Sequence, residues 1–296
     1  MPSYPLLAYG TPRKLPKAAS LTGRVVVLDV AFSATAGGAS FEKITKPFID
    51  GLGERLAMWI DHHDHERHPE FANDPRFVLR TKAAHGACPE LVTPARVEQA
   101  GEIDTICCHG DFDGLCSAAK WIRKGVEPYP GADADARAID TRLGAPSERA
   151  EILDRALRAR PRDDGLRGLI VRYLASGARD DGLLQRFVDA AEALKAMEDE
   201  SYRLSHTYEV DGDVAVCDAR PRRRPYDKTH LLLIGQQRAP IALVHDETTV
   251  TVATRFDSGI DLVGLLGLGG GMPTRVSVAA KRLPEVLELL QTLSPR

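Results

Sequence analysis

Along the chain, three short apolar runs break off at acidic residues. The first, "RVVVLDVAFS" at residues 24–33, is β-branched and nearly continuous, the pattern of a strand buried on both faces, and it carries Asp29 toward its end. The second, "AMWID" at 57–61, stops at Asp61; the third, "DTICCHGDFDG" at 104–114, finishes in Asp111 and Asp113. Between the first two lies the helix-period stretch "FEKITKPFIDGLGERL", with Ser40 as its expected N-cap and Glu42 in its first turn. "GACPELVTPARVEQA" reads as helical in parts, and "LCSAAKWIRKG" as a helix ending at Gly125. Strand, acidic loop and helix in succession predict an open α/β sheet, whose ligands collect outside the carboxyl ends of the strands.

The first twenty or so residues, rich in Pro and Lys, read as irregular. The middle reads as helical from "APSERAEILDRALRA" through "GLIVRYLASG", and a long amphipathic helix is expected from Leu183 to Met197. From Tyr208 the texture predicts strands at "EVDGDVAVCDA", "HLLLIG", "PIALVHD" and "TVTVATRF", with hairpin turns at "VDGD" and "HDET". A last amphipathic helix, "LPEVLELLQTL", follows. The expected fold class is therefore α/β: an open, mainly parallel sheet with flanking helices, and a smaller α/β C-terminal domain joined to it by a helix.

With 296 residues the chain is too long for one small core. The expected division is a catalytic domain over 1–178, a connector helix over 179–206 and a substrate-binding domain over 207–296. A net charge of −3 argues against a general grip on nucleic acid, leaving only local basic clusters such as Arg220 to Arg224. That cluster reads equally well as a solvated loop. Five cysteines without framework spacing, two of them adjacent, fit a reducing cytoplasm. No apolar run approaches membrane-spanning length and no signal-peptide pattern opens the chain, so a soluble cytoplasmic protein without membrane attachment is expected.

The chemistry concentrates in "MWIDHHDHERHPE" at 58–70 and "HGDFDG" at 109–114. Imidazole and carboxylate together suit divalent metals such as manganese, and a carboxylate can bridge two ions. Each signal alone has a bland reading: Asp29 as a turn residue, the histidines as solvated, "HGDFDG" as an N-cap. Three such signals, each at the end of a buried strand, favour a metal site.

"IDHHDHE" and "HGDFDGLCSAA" resemble the hallmark motifs of the DHH phosphoesterase superfamily, which includes RecJ-type exonucleases, oligoribonucleases, cyclic-dinucleotide phosphodiesterases and manganese pyrophosphatases. "TVATRFDSGIDLVGLLGLGGGMPTRVSVAA" resembles the DHH-associated domain. Two departures stand out. The lone Asp29 and the DHH motif precede His109-x-Asp111-x-Asp113, an order that looks circularly permuted. Met272 stands where the family signature usually has histidine.

The resemblance implies two divalent cations, manganese first, with magnesium or cobalt as alternatives. His109 and Asp111 would hold one ion, His62 and Asp113 the other, and Asp29 both. A further ligand aspartate is assigned to Asp140, with Asp104 the weaker candidate. Asp61 would orient its neighbours, His63 would face the substrate phosphate with Arg255, and Gly269, Gly270 and Gly271 would approach it through the main chain. His65 and His68 are expected to be solvated or peripheral. The implied activity is two-metal hydrolysis of phosphodiester bonds in short oligonucleotides, nucleic-acid ends or cyclic dinucleotides, and a homodimer is allowed. The alternatives are a phosphomonoesterase or pyrophosphatase with the same metal pair, and a non-catalytic nucleotide sensor.

Overall fold

The computed structural model describes residues 4–34 and 39–293, and the centre of the loop after the first apolar run lies outside them. The described residues divide into two compact units, 4–34 with 39–191, and 192–293.

In the first unit five strands form one parallel sheet: β1 (Leu6–Tyr9), β2 (Val25–Leu28), β3 (Leu56–Asp61), β4 (Phe77–Leu79) and β5 (Thr105–Cys108), in the order β1-β5-β2-β3-β4. Alternation along β2 explains why the strand had to be apolar throughout. Val26 and Leu28 face a core shared with Ile60, Ile106 and the helix α3 (Phe112–Ile122), while Val25 and Val27 face a second core with Phe32, Phe48 and Trp59. Both faces of the sheet are covered, as parallel sheets require.

The strand order reverses between β5 and β2, so the crevice at their carboxyl ends is the expected ligand position for this architecture. Backbone bonds tie three strand ends there: Asp29 N–H donates to the Ile60 carbonyl at 2.9 Å and His109 N–H to the Leu28 carbonyl at 3.2 Å. Helices α1 (Lys46–Leu52) and α2 (Pro94–Ala100) flank the sheet, and α4 (Ala132–Thr141), α5 (Glu148–Ala159), α6 (Asp164–Ala175) and α7 (Asp181–Glu192) follow α3. Ser40 caps the turn entering α1 by accepting from Lys43 N–H at 3.3 Å.

The second unit contains α8 (Lys195–Ser205), β6 (Glu209–Asp211), β7 (Val214–Asp218), α9 (Lys228–Gln236), β8 (Ile241–His245), β9 (Thr249–Thr254), β10 (Arg275–Ala279) and α11 (Leu283–Gln291), with the single-turn α10 (Leu262–Leu265) before β10. Its sheet is mixed, ordered β10-β9-β8-β7-β6, with only β7 and β8 parallel.

Four local expectations are corrected. "HLLLIG" is helix α9, not a strand: β7 and β8 run parallel and need a crossover, and Asp227 caps that helix by accepting from Thr229 and His230 N–H. The N-terminal stretch holds an edge strand, β1, and is not wholly irregular. The first apolar run ends as a strand at Leu28 because Asp29 adopts φ +59° and turns the chain. The helix expected from Leu183 to Met197 is two, α7 and α8, interrupted after Glu192.

Candidate metal centre

Asp29, the residue after β2, has a left-handed backbone and a side chain that is 1% exposed. Such a conformation is costly for a residue with a Cβ and persists where surrounding structure enforces it. One enforcing contact is Trp59, whose Nε1–H donates to the Val30 carbonyl at 2.9 Å. From this position Asp29 Oδ1 lies 3.2 Å from His62 Nε2 and 4.0 Å from His63 Nδ1, and Oδ2 lies 3.9 Å from His109 Nδ1. Neither oxygen accepts an aligned hydrogen bond, although both are buried. Burial, then the charges of Asp113 and Asp111, push the Asp29 carboxyl well above its usual range, with His62 pulling the other way.

His62 is fully buried just past β3. Its Nδ1 lies 2.9 Å from the His85 carbonyl, a bond that places the proton on Nδ1 and turns Nε2 toward the carboxylates. Nε2 lies 3.4 Å from Asp113 Oδ2 and 3.7 Å from Asp140 Oδ2. Burial disfavours a charged His62, but the carboxylates of Asp113 and Asp29 outweigh it and raise its pKa to about 10.

The "HGDFDG" segment turns β5 into α3. Asp111 is both the N-cap and a site residue: Oδ1 accepts from Gly114 N–H at 3.4 Å while Oδ2 lies 2.7 Å from His109 Nδ1. Despite burial, Asp111 is the leading cause that raises His109 to about 9. Asp113 sits in the first turn, 3% exposed, where the helix dipole favours negative charge. Gly114 is required by space, since a Cβ there would lie 2.6 Å from the His109 carbonyl oxygen and 3.0 Å from Asp29 Oδ2.

Three donor groups result: Asp29 with His109 and Asp111; His62 with Asp113 and Asp140; and Asp29 with His62 and His63. Asp140, in the last turn of α4, joins them. Asp104 does not: it accepts from Arg24 N–H at 2.8 Å at the start of β5, the opposite end of that strand. His63 is partly buried and its Nδ1–H donates to Asp61 Oδ1 at 2.9 Å; Asp61 is wholly buried and held low against its own burial by His63. Burial lowers the pKa of His63 itself.

His65 and His68, expected to be solvated or peripheral, are both partly buried. Both rings pack edge-on against Phe32, and burial takes His68 down to about 4. Arg255 and Gly269, Gly270 and Gly271 belong to the second unit. There Arg255 is exposed and paired with Asp257 at 2.8 Å, and Gly271 takes φ +129°.

One residue beside His62 escaped the sequence reading. Lys82 is 1% exposed, bonds Asp140, and holds Nζ 3.1 Å from His62 Nε2. A lysine in a polar loop carries no motif that announces such a position.

On its open side the group meets a cleft of about 790 Å³, lined by Tyr9, Lys14, His109, Asp111, Arg162 and Arg167 among others. Arg167 lies over the Tyr9 ring at 5.2 Å and pairs with Asp164 at 2.6 Å. All five cysteines are free and buried, and among the described residues no helix is long and apolar enough to cross a membrane.

No family model and no curated protein matches the chain. Among solved structures it is similar to a pGpG-specific phosphodiesterase, PggH from Vibrio cholerae, at 12% identity over 92% of this chain and 98% of that one, with a TM-score of 0.40. It is also similar to an uncharacterized protein from Helicobacter pylori G27, at 11% identity over 93% and 84% of the two chains, with a TM-score of 0.28. At these scores the site is read from its own residues.

Proposed function

We propose that the chain is a metal-dependent phosphodiesterase of the DHH type, acting on short oligonucleotides, nucleic-acid ends or cyclic dinucleotides. The observation that carries this reading is the buried Asp29 carboxylate, whose two oxygens face histidines from two different strand ends. The residues fit divalent ions. Asp29 and His109 Nδ1 are buried without aligned hydrogen-bond partners, and a mixed imidazole–carboxylate set suits manganese, magnesium or cobalt. In this reading Asp29, His109 and Asp111 hold one ion, and His62, Asp113 and Asp140 surround the second position.

When bound, such ions supply Lewis acidity and lower the pKa of water. The remaining work falls to the side chains. Asp61 holds the proton of His63 on Nδ1, leaving Nε2 with a lone pair that can take a proton and return it to the leaving oxygen. Lys14, Arg162 and Arg167 give the adjoining cleft local positive charge for a phosphate-bearing substrate. Arg255 and Gly269, Gly270 and Gly271 keep the substrate-holding role that the family resemblance assigns them.

The test is a panel of short RNA and DNA oligomers, cyclic dinucleotides, nitrophenyl phosphodiesters and pyrophosphate, run with manganese, magnesium and cobalt in parallel. Diester cleavage that Asp111→Ala abolishes, with the fold intact, is the expected result. Orthophosphate release from pyrophosphate alone would favour the pyrophosphatase reading, and nucleotide binding without turnover of any substrate would favour the sensor.

A further inference from the structure

We propose that Lys82 is a built-in cation that occupies the second metal position, so that the chain takes one divalent ion where the family resemblance implies two. This rests on the metal-dependent reading above and refines it.

The ammonium is placed where an ion would sit. Nζ bonds Asp140 Oδ2 and lies 3.1 Å from His62 Nε2, and those two residues with Asp113 form one of the donor groups. The bond from His62 Nδ1 to the His85 carbonyl turns Nε2 toward the same point, so the lysine stands where an ion would meet that ring. A divalent ion and an ammonium cannot share this donor group: both are cations, and both need the same carboxylate lone pairs at a largely buried point.

The segment carrying Lys82 is anchored. The Lys82 backbone N–H donates to Asp64 Oδ2 at 3.2 Å. Gly86 packs so closely on α4 that a Cβ would lie 2.9 Å from Arg137 Cγ. Glu90 pairs with Arg137 through two bonds, at 2.6 and 2.9 Å. Asp140 stands on the same helix, so the ammonium and its carboxylate partner are brought together by one packed joint and not by a swinging side chain alone. The Asp29, His109 and Asp111 group is left to the metal.

The assignment also gives Lys82 a chemical part. Its charge balances carboxylates that would otherwise repel one another.

The experiment is manganese binding to the metal-free full chain, read as bound ions per chain and by electron paramagnetic resonance, for wild type, Lys82→Ala and Lys82→Met. The expected result is one ion with an uncoupled spectrum in wild type, and two exchange-coupled ions in Lys82→Ala. Lys82→Met, which removes the charge but keeps most of the bulk, covers the case that Lys82→Ala fails to fold, and is expected to leave room for a weaker second ion. Asp111→Asn should lose the wild-type ion, whereas Asp140→Asn should keep it. Two coupled ions in wild type would overturn the lysine assignment while leaving the phosphodiesterase reading intact. One ion in every Lys82 variant would also overturn it. No bound metal in any form would remove the metal-dependent reading itself.

Discussion

Asp29 Oδ1 lies 3.2 Å from His62 Nε2, although the two residues end different strands and neither is followed by a shared loop. The contact exists because β2 and β3 are parallel neighbours in register, Leu28 against Ile60, so both chains leave the sheet at the same edge.

Asp29→Asn separates the metal role of this residue from its structural one. Asparagine tolerates the left-handed backbone, and the change removes a buried carboxylate that Asp111 and Asp113 repel. The metal-free protein should therefore melt at the same temperature or higher. Because even a residue that merely supports a ligand costs about 10–100-fold in metal affinity, this one should cost at least about 100-fold. Calorimetric melting with and without manganese measures both quantities.

Asp61→Asn should leave substrate binding nearly intact while lowering turnover by about 10–100-fold, because the proton on His63 Nδ1 loses its charged acceptor. His63→Gln should give a loss at least as large. Steady-state kinetics on a diester substrate, separating kcat from KM, checks the pair; a pure KM effect would contradict the assigned roles.

Metal affinity should rise with pH. In the metal-free site the carboxylates raise His62 to about 10 and His109 to about 9, so near neutrality an ion must displace protons in order to bind. Apparent affinity is expected to climb by roughly a factor of ten per pH unit for each displaced proton and to level off above those values. The metal-free fold shows the opposite trend. A histidine pKa raised by folding contributes stability fully present below about 6.5 and lost as pH rises through 9 to 10. Isothermal titration in buffers of different ionisation heat counts the protons; affinity flat from pH 6 to 8 would contradict this.

Trp59→Phe tests whether the core holds the site in shape. The indole is fully buried and its N–H satisfies the Val30 carbonyl, one residue past Asp29. Losing that bond and part of the ring should cost about 1–3 kcal/mol by denaturant unfolding, together with a measurable drop in metal affinity. Unchanged affinity would show that the Asp29 turn is held by other contacts.

Arg162→Ala should raise KM for short oligonucleotides several-fold and leave kcat nearly unchanged, since its side chain lines the cleft beside His109 and touches none of the donor groups. The effect should shrink at high salt, as expected of an exposed charge.

Much of this architecture is legible in the chain because parallel strands covered on both faces need unbroken apolar runs. Leu56–Asp61 and Thr105–Cys108 stand out for that reason, and their acidic ends mark the sheet edge. "HLLLIG" misled because a short apolar run has no period long enough to separate helix from strand, and only the parallel crossover between Val214–Asp218 and Ile241–His245 decides it. The strand at Leu6–Tyr9 is half-exposed at a sheet edge, where apolar patterning is weak.

By itself, then, the sequence determined which chemistry-bearing residues exist and that three strand ends carry them, since local pattern is enough to end a strand on an aspartate. Tertiary structure alone decided the rest. Strand order put β2 between β3 and β5, so the lone Asp29 came to face both histidines in spite of the unusual motif order. Helix α4 delivered Asp140, while Asp104 stayed at the opposite end of β5. The packing of the Gly86 segment on that helix drove the Lys82 ammonium into the carboxylate cluster. Such contacts join residues far apart in the chain, and no local periodicity encodes them.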